Sequence, residues 1–259
     1  MIRPKKNKGG RQMSLRTPAG FAQQHAWDRN FFLVSVLVIW IVILLGFVPS
    51  ILRHIAAGGS YPLIVHVHAV AFVGWLVLLS VQVGLIRARR YDIHRKLGYC
   101  GAALALAMCV LGPWAGIVAE QVHFGTPSGD PPFLAVEFLE MFAFVLQVAA
   151  AIGLRRDASA HKRWMLLATL FLTAAGFGRW LFEPLQAVFG DGFLPFLVEN
   201  YGGTIVLVLA LGAYDLATRH RLHPSYLAGA AIGFASELIA TWLYLSPAWK
   251  ALTLTIIGH

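Results

Sequence analysis

Among the ionisable side chains inside otherwise apolar stretches of sequence, six stand out as a candidate site: His66, His68, Glu137, Glu140, Arg179 and Glu237. A charge in hydrocarbon is costly, so each is a candidate for binding or proton transfer and needs a partner. Glu137 and Glu140, at i and i+3, share one face of a helix. His66 and His68, at i and i+2, point about 160° apart on a helix, so only one can face a bundle interior. A buried carboxyl pair must share a proton or take a cation, and Arg179 is the nearest charge complement. Two chemistries follow. Arg179 can form an internal salt bridge with Glu137 or Glu140 that locks two helices. Alternatively, His66 or His68, Glu137, Glu140, Arg179 and Glu237 line a pocket for a metal, a haem or a small anionic or quinone-like ligand, with a proton relay as a variant.

The elements that must position these groups are seven apolar stretches, at about residues 31–49, 63–86, 97–119, 132–154, 164–185, 203–218 and 225–245. Each reaches or approaches the roughly 20 residues a helix needs to cross about 30 Å of hydrocarbon. Of the 21 Lys and Arg, 18 lie in the N-terminal tail or in the turns after the second, fourth and sixth stretches, leaving only Arg53, Arg179 and Lys250. Basic segments are retained on the cytoplasmic side, which predicts the N-terminus inside and the C-terminus outside. In that topology the six ionisable residues fall roughly 5 to 12 Å beneath the outer boundary, at 1.5 Å rise per residue.

Composition agrees with a membrane protein: 58% hydrophobic residues, 13% charged and a mean hydropathy of +0.67 over 259 residues leave too little polar surface for a soluble globule. The net charge of +9 is accounted for by inner-face turns against anionic headgroups, so nucleic acid is not an expected partner. Cys100 and Cys109 lie nine apart on one helix and cannot bridge each other. No CxxC or CxxCH occurs, which removes a redox dithiol and covalent haem. There is no GxSxG, HExxH or nucleotide fingerprint. Residues 1–30, with Lys5, Lys6, Lys8, Arg11 and Arg16, read as a disordered cytoplasmic tail. The run from Phe31 to Val48 is too long for a signal core. Residues 31–245 form the membrane domain and 246–259 a short periplasmic tail. The tryptophans Trp40, Trp75, Trp114, Trp164, Trp180, Trp242 and Trp249 read mostly as an aromatic belt, and the glycines of the third and seventh spans as packing seams.

The basic turns repeat. Arg89-Arg90-Tyr91-Asp92-Ile93-His94-Arg95-Lys96 follows the second span, Arg155-Arg156-Asp157-Ala158-Ser159-Ala160-His161-Lys162-Arg163 the fourth, and a looser copy with Asp215, Arg219 and His223-Pro224 the sixth. Spans two to seven thus read as three helical hairpins in parallel orientation. Asp near each helix start can cap free N–H groups, and Pro224 suits a first helical turn. His94, His161 and His223 read either as headgroup-level side chains or as ligands. His94 and His161 begin helices that run the same way, the arrangement two axial ligands of a low-spin b haem require.

From the second span onward, His94-Arg95-Lys96-Leu97-Gly98, His161-Lys162-Arg163-Trp164-Met165 and Arg179 resemble a widespread set of bacterial multi-span membrane proteins of unknown function. The likeness covers roughly residues 62 to 185 and implies a multi-span bundle with those His and Arg as candidate residues. The chain is more distantly similar to the ascorbate-dependent transmembrane b-type cytochromes. Because the fourth span carries Glu137 and Glu140 and no His, that resemblance implies His94 and His161 as the one haem-binding pair.

The expectation is an all-α, seven-helix integral membrane bundle of the bacterial inner membrane, with the lipid bilayer as partner and a further membrane protein or a second copy as additional partners. Three classes fit: a redox-linked haem or metal protein with an outer-half pocket, a structural or assembly partner of a membrane complex, and a small-molecule or proton transporter. The last is disfavoured by parallel repeats and by the lack of a Gly- and Pro-broken helix.

Overall fold

The computed structural model describes residues 21–22, 24–126 and 129–259. Of the expected 1–30 tail, residues 1–20 lie outside the described residues, and Asp28–Asn30 already belong to the first helix. The helices are α1 (Asp28–Ala56), α2 (Leu63–Arg87), α3 (Tyr91–His123), α4 (Leu134–Gly153), α5 (Ala158–Phe171), α6 (Ala174–Phe189), α7 (Phe193–Arg219), α8 (Pro224–Leu245) and α9 (Pro247–Ile257). A single 3-10 turn at Pro131–Phe133 leads into α4. The described residues contain no strand. Seven helical segments are long and apolar enough to cross a membrane, α5 and α6 together making the fifth.

Why these residues fold as a bundle with an apolar exterior is visible on α1. Val34, Leu37, Ile41, Leu44 and Val48 recur at helical spacing and are each about half exposed, while Val36, Ile39 and Val42 turn inward and are buried. A stripe of that length facing outward suits acyl chains and would be a liability in water. Inside, α2 packs on α3, α3 on α4, α4 on α5 and α8, and α6 on α1 and α7. Met108, Phe144, Leu167, Phe171, Val208 and Leu211 form a dry layer in mid-bundle. The seams read from glycine spacing are close approaches: a side chain at Gly233 would overlap the Phe171 ring. Two tryptophans depart from the expected belt. Trp75 and Trp164 are core residues, 2% and 5% exposed, and Trp75 Nε1 donates to Thr169 Oγ1 at 3.2 Å. Their rings fill the space between helices that smaller apolar side chains leave.

The fifth span is interrupted without Gly or Pro at the break. Leu172 and Thr173 adopt tighter, 3-10-like dihedrals, Thr173 N donates to Leu170 O, and the Thr173 hydroxyl is shared with Thr204 of α7 at 3.0 Å. This tightened turn divides the fifth span into α5 and α6.

The end of the bundle that carries the basic turns is tied by charge. Arg163 and Asp215, both fully buried, form a two-pronged pair, and Arg163 also donates to Ser159 O at 2.8 Å and Ser159 Oγ at 2.7 Å. Asp28 at the start of α1 accepts from Lys162 at 2.7 Å, from Arg219 at 2.8 and 2.9 Å and from the Tyr214 hydroxyl. The Phe21 ring lies 4.7 Å from the Arg163 guanidinium and 5.2 Å from that of Arg219, edge-on to His223. Asp157 caps α5 through Ser159 N and Ala160 N, as its position suggests. Asp92 caps nothing and makes only an exposed pair with Arg90. Asp215, which the turn pattern placed among capping groups, lies instead inside α7, because the helix runs on to Arg219.

At the opposite end, the short tail expected over 246–259 is helical. Trp249 Nε1 donates to Pro132 O at 2.9 Å, Gln121 Nε2 to Ile257 O at 3.2 Å, and His259 stacks on Phe124. Pro247 starts α9 at its first turn, where a missing N–H is harmless.

Two predictions follow from the basic end. Asp215→Asn strands the Arg163 charge and should lower stability by about 3 to 5 kcal/mol in detergent unfolding; melting like that of wild type would contradict the pairing. His223 Nδ1 accepts from Ser225 N at 3.0 Å, capping α8, and so works only unprotonated. Burial first, then Arg163, holds its pKa below the ordinary value of 6.5. With the folded value depressed, the contribution is present above the ordinary value and is lost as pH falls through the folded one. Stability should therefore decline between about pH 7 and 5 by about 1 kcal/mol more in wild type than in His223→Asn, whose amide can cap at either pH.

Candidate functional site

Glu137 and Glu140 share the face of α4 that looks across to α3 and α8. Glu137 Oε2 sits in a notch on α3: a Cβ built at Gly116 would come within 1.6 Å of it, so glycine there is what admits the carboxyl. One turn further along α3, Glu120 Oε2 accepts from Asp130 N at 2.8 Å, and Asp130 in turn accepts from the Tyr244 hydroxyl of α8 at 2.9 Å. Burial raises the Asp130 pKa, opposed by the Tyr244 hydrogen bond and by Lys250.

Behind Glu140, between α4, α5, α7 and α8, lies a cavity lined by Glu140, Tyr201, Ser236 and Glu237 and walled by Leu139 and Phe171. It leaves about 10 Å³ for the centre of a water molecule, the space of about one water. Tyr201 is 1% exposed and Glu237 5%. Glu137 Oε2, Glu140 Oε1, Glu237 Oε1 and the Tyr201 hydroxyl are all buried with no hydrogen-bond partner. Native interiors seldom leave such groups unsatisfied, and a cluster of them calls for a ligand, an ion or water.

Arg179 stands apart from this cluster. Its Nη1 donates to Ala175 O of its own helix at 2.8 Å and its guanidinium lies 4.2 Å from the Phe47 ring of α1. Glu137, Glu140, His68 and Tyr61 are within charge–charge range of it, yet no ion pair joins Arg179 to either glutamate. The expected salt bridge is not formed, because α6 packs chiefly on α1 and α7 and holds the guanidinium there. Glu137 and Glu140 thus have one cation in range, the exposed Arg179, and it is bonded to neither.

The two histidines of α2 separate as their spacing requires. His66 is exposed and its Nδ1 lies 3.1 Å from Pro62 O. His68 turns inward, lies against Phe72, and leaves Nδ1 buried without a partner. At the basic end, His94 and His161 face each other, ring centres 6.2 Å apart and planes at 89°. His161 Nδ1 donates to Ala151 O at 2.8 Å, while His94 Nδ1 is buried without a partner. No group of three or more His, Cys, Asp or Glu with metal-binding geometry is present among the described residues.

Sequence reasoning missed Tyr201, Glu120 and Asp130. The run Glu199-Asn200-Tyr201 is polar enough to end a hydropathy window, so hydropathy starts the sixth span at 203, whereas α7 starts at Phe193. Glu120 lies one residue beyond the third apolar stretch. Comparison with protein-family models, with curated proteins and with solved structures finds no match.

Gly116→Ala is expected to displace the Glu137 carboxyl from its notch, at a cost of about 1 to 3 kcal/mol in unfolding, and Gly116→Ala combined with Glu137→Gly should recover most of that loss. Arg179→Ala should cost less than Arg163→Ala, since only Arg163 is bonded to a carboxylate; melting curves in the same detergent decide this.

Proposed function

We propose that this chain is a multi-pass membrane protein that takes up protons at a buried carboxyl site, Glu140 and Glu237 with Tyr201, in the half of the bilayer away from the basic turns. The charge pattern favours the cytoplasmic side of a bacterial inner membrane for those turns, with the carboxyl site toward the outer face. The observation that carries the reading is that Glu140 Oε1, Glu237 Oε1 and the Tyr201 hydroxyl, on three residues gathered around one small cavity, are all buried without partners. A set of charges that only fastened helices would be paired, as Arg163 and Asp215 are. Three buried carboxyls with no ion pair need positive charge to be tolerated in hydrocarbon, and protons supply it. Glu137 and His68 extend the same set toward Arg179. Proton uptake of this kind serves proton-coupled transport and redox-linked membrane proteins alike.

Infrared spectroscopy of the purified protein in lipid tests the site. Glu140→Gln and Glu237→Gln should each remove part of the carboxylic C=O absorption. If neither variant alters that absorption while both retain wild-type melting, the carboxyls carry no exchangeable protons and the reading is wrong.

A second reading concerns the basic end. The facing rings of His94 and His161 and the hydrogen bond from His161 Nδ1 to a carbonyl, which leaves its Nε2 for a ligand, favour a shared b haem. A bound haem would supply one-electron transfer. A reduced-minus-oxidised absorption difference abolished by His94→Ala or His161→Ala supports it; its absence after expression with full haem supply removes it.

A further inference from the structure

The carboxyls of the buried site do not end at Glu137. On α3, Glu120 lies four residues beyond Gly116, on the same helix face and one turn closer to the end of the bundle. Its charge is within range of Glu137 across the helix interface. Its Oε2 is fixed by Asp130 N at 2.8 Å, and both Glu120 and Asp130 are partly exposed. The order from the surface is then Asp130, Glu120, Glu137, Glu140, Glu237. Asp130 is tied to Glu120 through its backbone N–H, Glu137 seats its carboxyl at Gly116 one turn from Glu120, Glu137 and Glu140 share a helix face, and Glu140 and Glu237 line one cavity.

We propose that Asp130, Glu120, Glu137 and Glu140 form a path by which protons from the end of the bundle capped by α9 reach the cavity between Glu140, Tyr201 and Glu237. The inference rests on the proton-uptake reading of that cavity and adds its route. Tyr201, 1% exposed with its hydroxyl unpartnered and its side chain against the cavity, marks the terminus independently of the acidic residues. Toward the basic end stand the apolar side chains of Met108, Phe144, Leu167, Phe171, Val208 and Leu211, with the buried Thr169 and Gln147 among them. Neutral carboxyl chains with an intervening water hand a proton on without a net charge crossing hydrocarbon: each group accepts a proton on one oxygen and releases one from the other.

The groups that face the path are Lys250, Tyr244 and His123 at its mouth and Arg179 in range of Glu137 and Glu140, with His68 and Tyr61 in turn near Arg179. Glu120 is the member whose change disturbs least, because the amide oxygen of Glu120→Gln still accepts from Asp130 N while the side chain no longer exchanges a proton.

The test is the rate at which the buried carboxylic C=O absorption shifts when lipid-embedded protein is moved into D2O. With Glu120→Gln the absorption should keep its wild-type intensity from Glu140 and Glu237, and the shift should slow by about tenfold or more, as loss of a positioned proton-transfer group does. Glu137→Gln should slow it likewise, and Asp92→Asn at the basic end should leave it unchanged. An unchanged rate in both Glu120→Gln and Glu137→Gln overturns the path, even where Glu140→Gln and Glu237→Gln establish the site itself. Slowing by Na+ at fixed pH in wild type would assign the path to a competing monovalent cation and overturn its assignment to protons.

Discussion

A charge or a hydrogen-bonding group in hydrocarbon must find its partner within the protein, and the two ends of this bundle answer that demand in opposite ways. At the basic end, Asp215 holds Arg163, and Asp28 gathers Lys162, Arg219 and the Tyr214 hydroxyl. Every carboxylate there is matched, and the bonds run between α1, α5 and α7, which do not adjoin in sequence. This network fixes the start of the first helix against the end of the seventh. In the other half, Glu137, Glu140, Glu237 and Tyr201 have atoms with no partner, and the one arginine nearby bonds to its own helix. The basic half also has buried atoms without partners, on Gln82, His94, Gln147 and Trp164. What distinguishes the two halves is the carboxyls: those of the basic half are bonded, whereas Glu137, Glu140 and Glu237 each leave an oxygen buried and unpartnered.

The geometry of the open cluster depends on small residues as much as on acidic ones. Gly116 makes room for the Glu137 carboxyl on α3, and Gly233 on α8 lets the Phe171 ring approach close enough to wall the cavity. Phe171 therefore belongs both to the dry layer and to the cavity. It is also the last residue of α5, directly before the tightened turn at Leu172–Thr173. A shift of α6 against α5 at that turn would be felt first at this ring, which links the interruption of the fifth span to access around Glu140.

Much of the bundle was legible because hydropathy and basic turns are additive along the chain. The seven apolar stretches correspond to seven helical segments, and Asp157 and Pro224 stand at helix starts as cap chemistry requires. What escaped has physical reasons. Glu199-Asn200-Tyr201 lowers local hydropathy although Tyr201 is among the most buried residues of the chain, since burial depends on neighbours that a window along the sequence does not contain. The pairing of Arg163 with Asp215 joins residues 52 apart, and nothing in the local pattern distinguishes either from the other turn residues. Depth and charge complementarity suggest an Arg179 salt bridge, but neither says which neighbour a helix faces. Residues after 246 read as a tail because eleven residues cannot span a bilayer, yet α9 needs only to lie across the end of one.

The placement of α9 bears on how the carboxyl site meets its surroundings. Trp249 bonds to Pro132 and Gln121 to Ile257, so α9 is fastened to the segment that leads into α4 and to the last turns of α3, the two elements that carry Glu137 and Glu120. Tyr244, at the end of α8, holds Asp130 from the third side. The mouth of the site is thus built from chain segments with independent anchors. Its polar groups stand among aromatic rings: Phe133 lies edge-on to Tyr244 and Phe138 to Trp249, and an apolar cluster of Val136, Phe196, Tyr201 and Ala240 continues inward from Phe133 and Tyr244. Hydrogen bonds from a backbone amide and a tyrosine thus hold Glu120 and Asp130 within an otherwise apolar end of the bundle, and these two partly exposed carboxyls are the polar groups there that both meet the surface and adjoin the Glu137 notch.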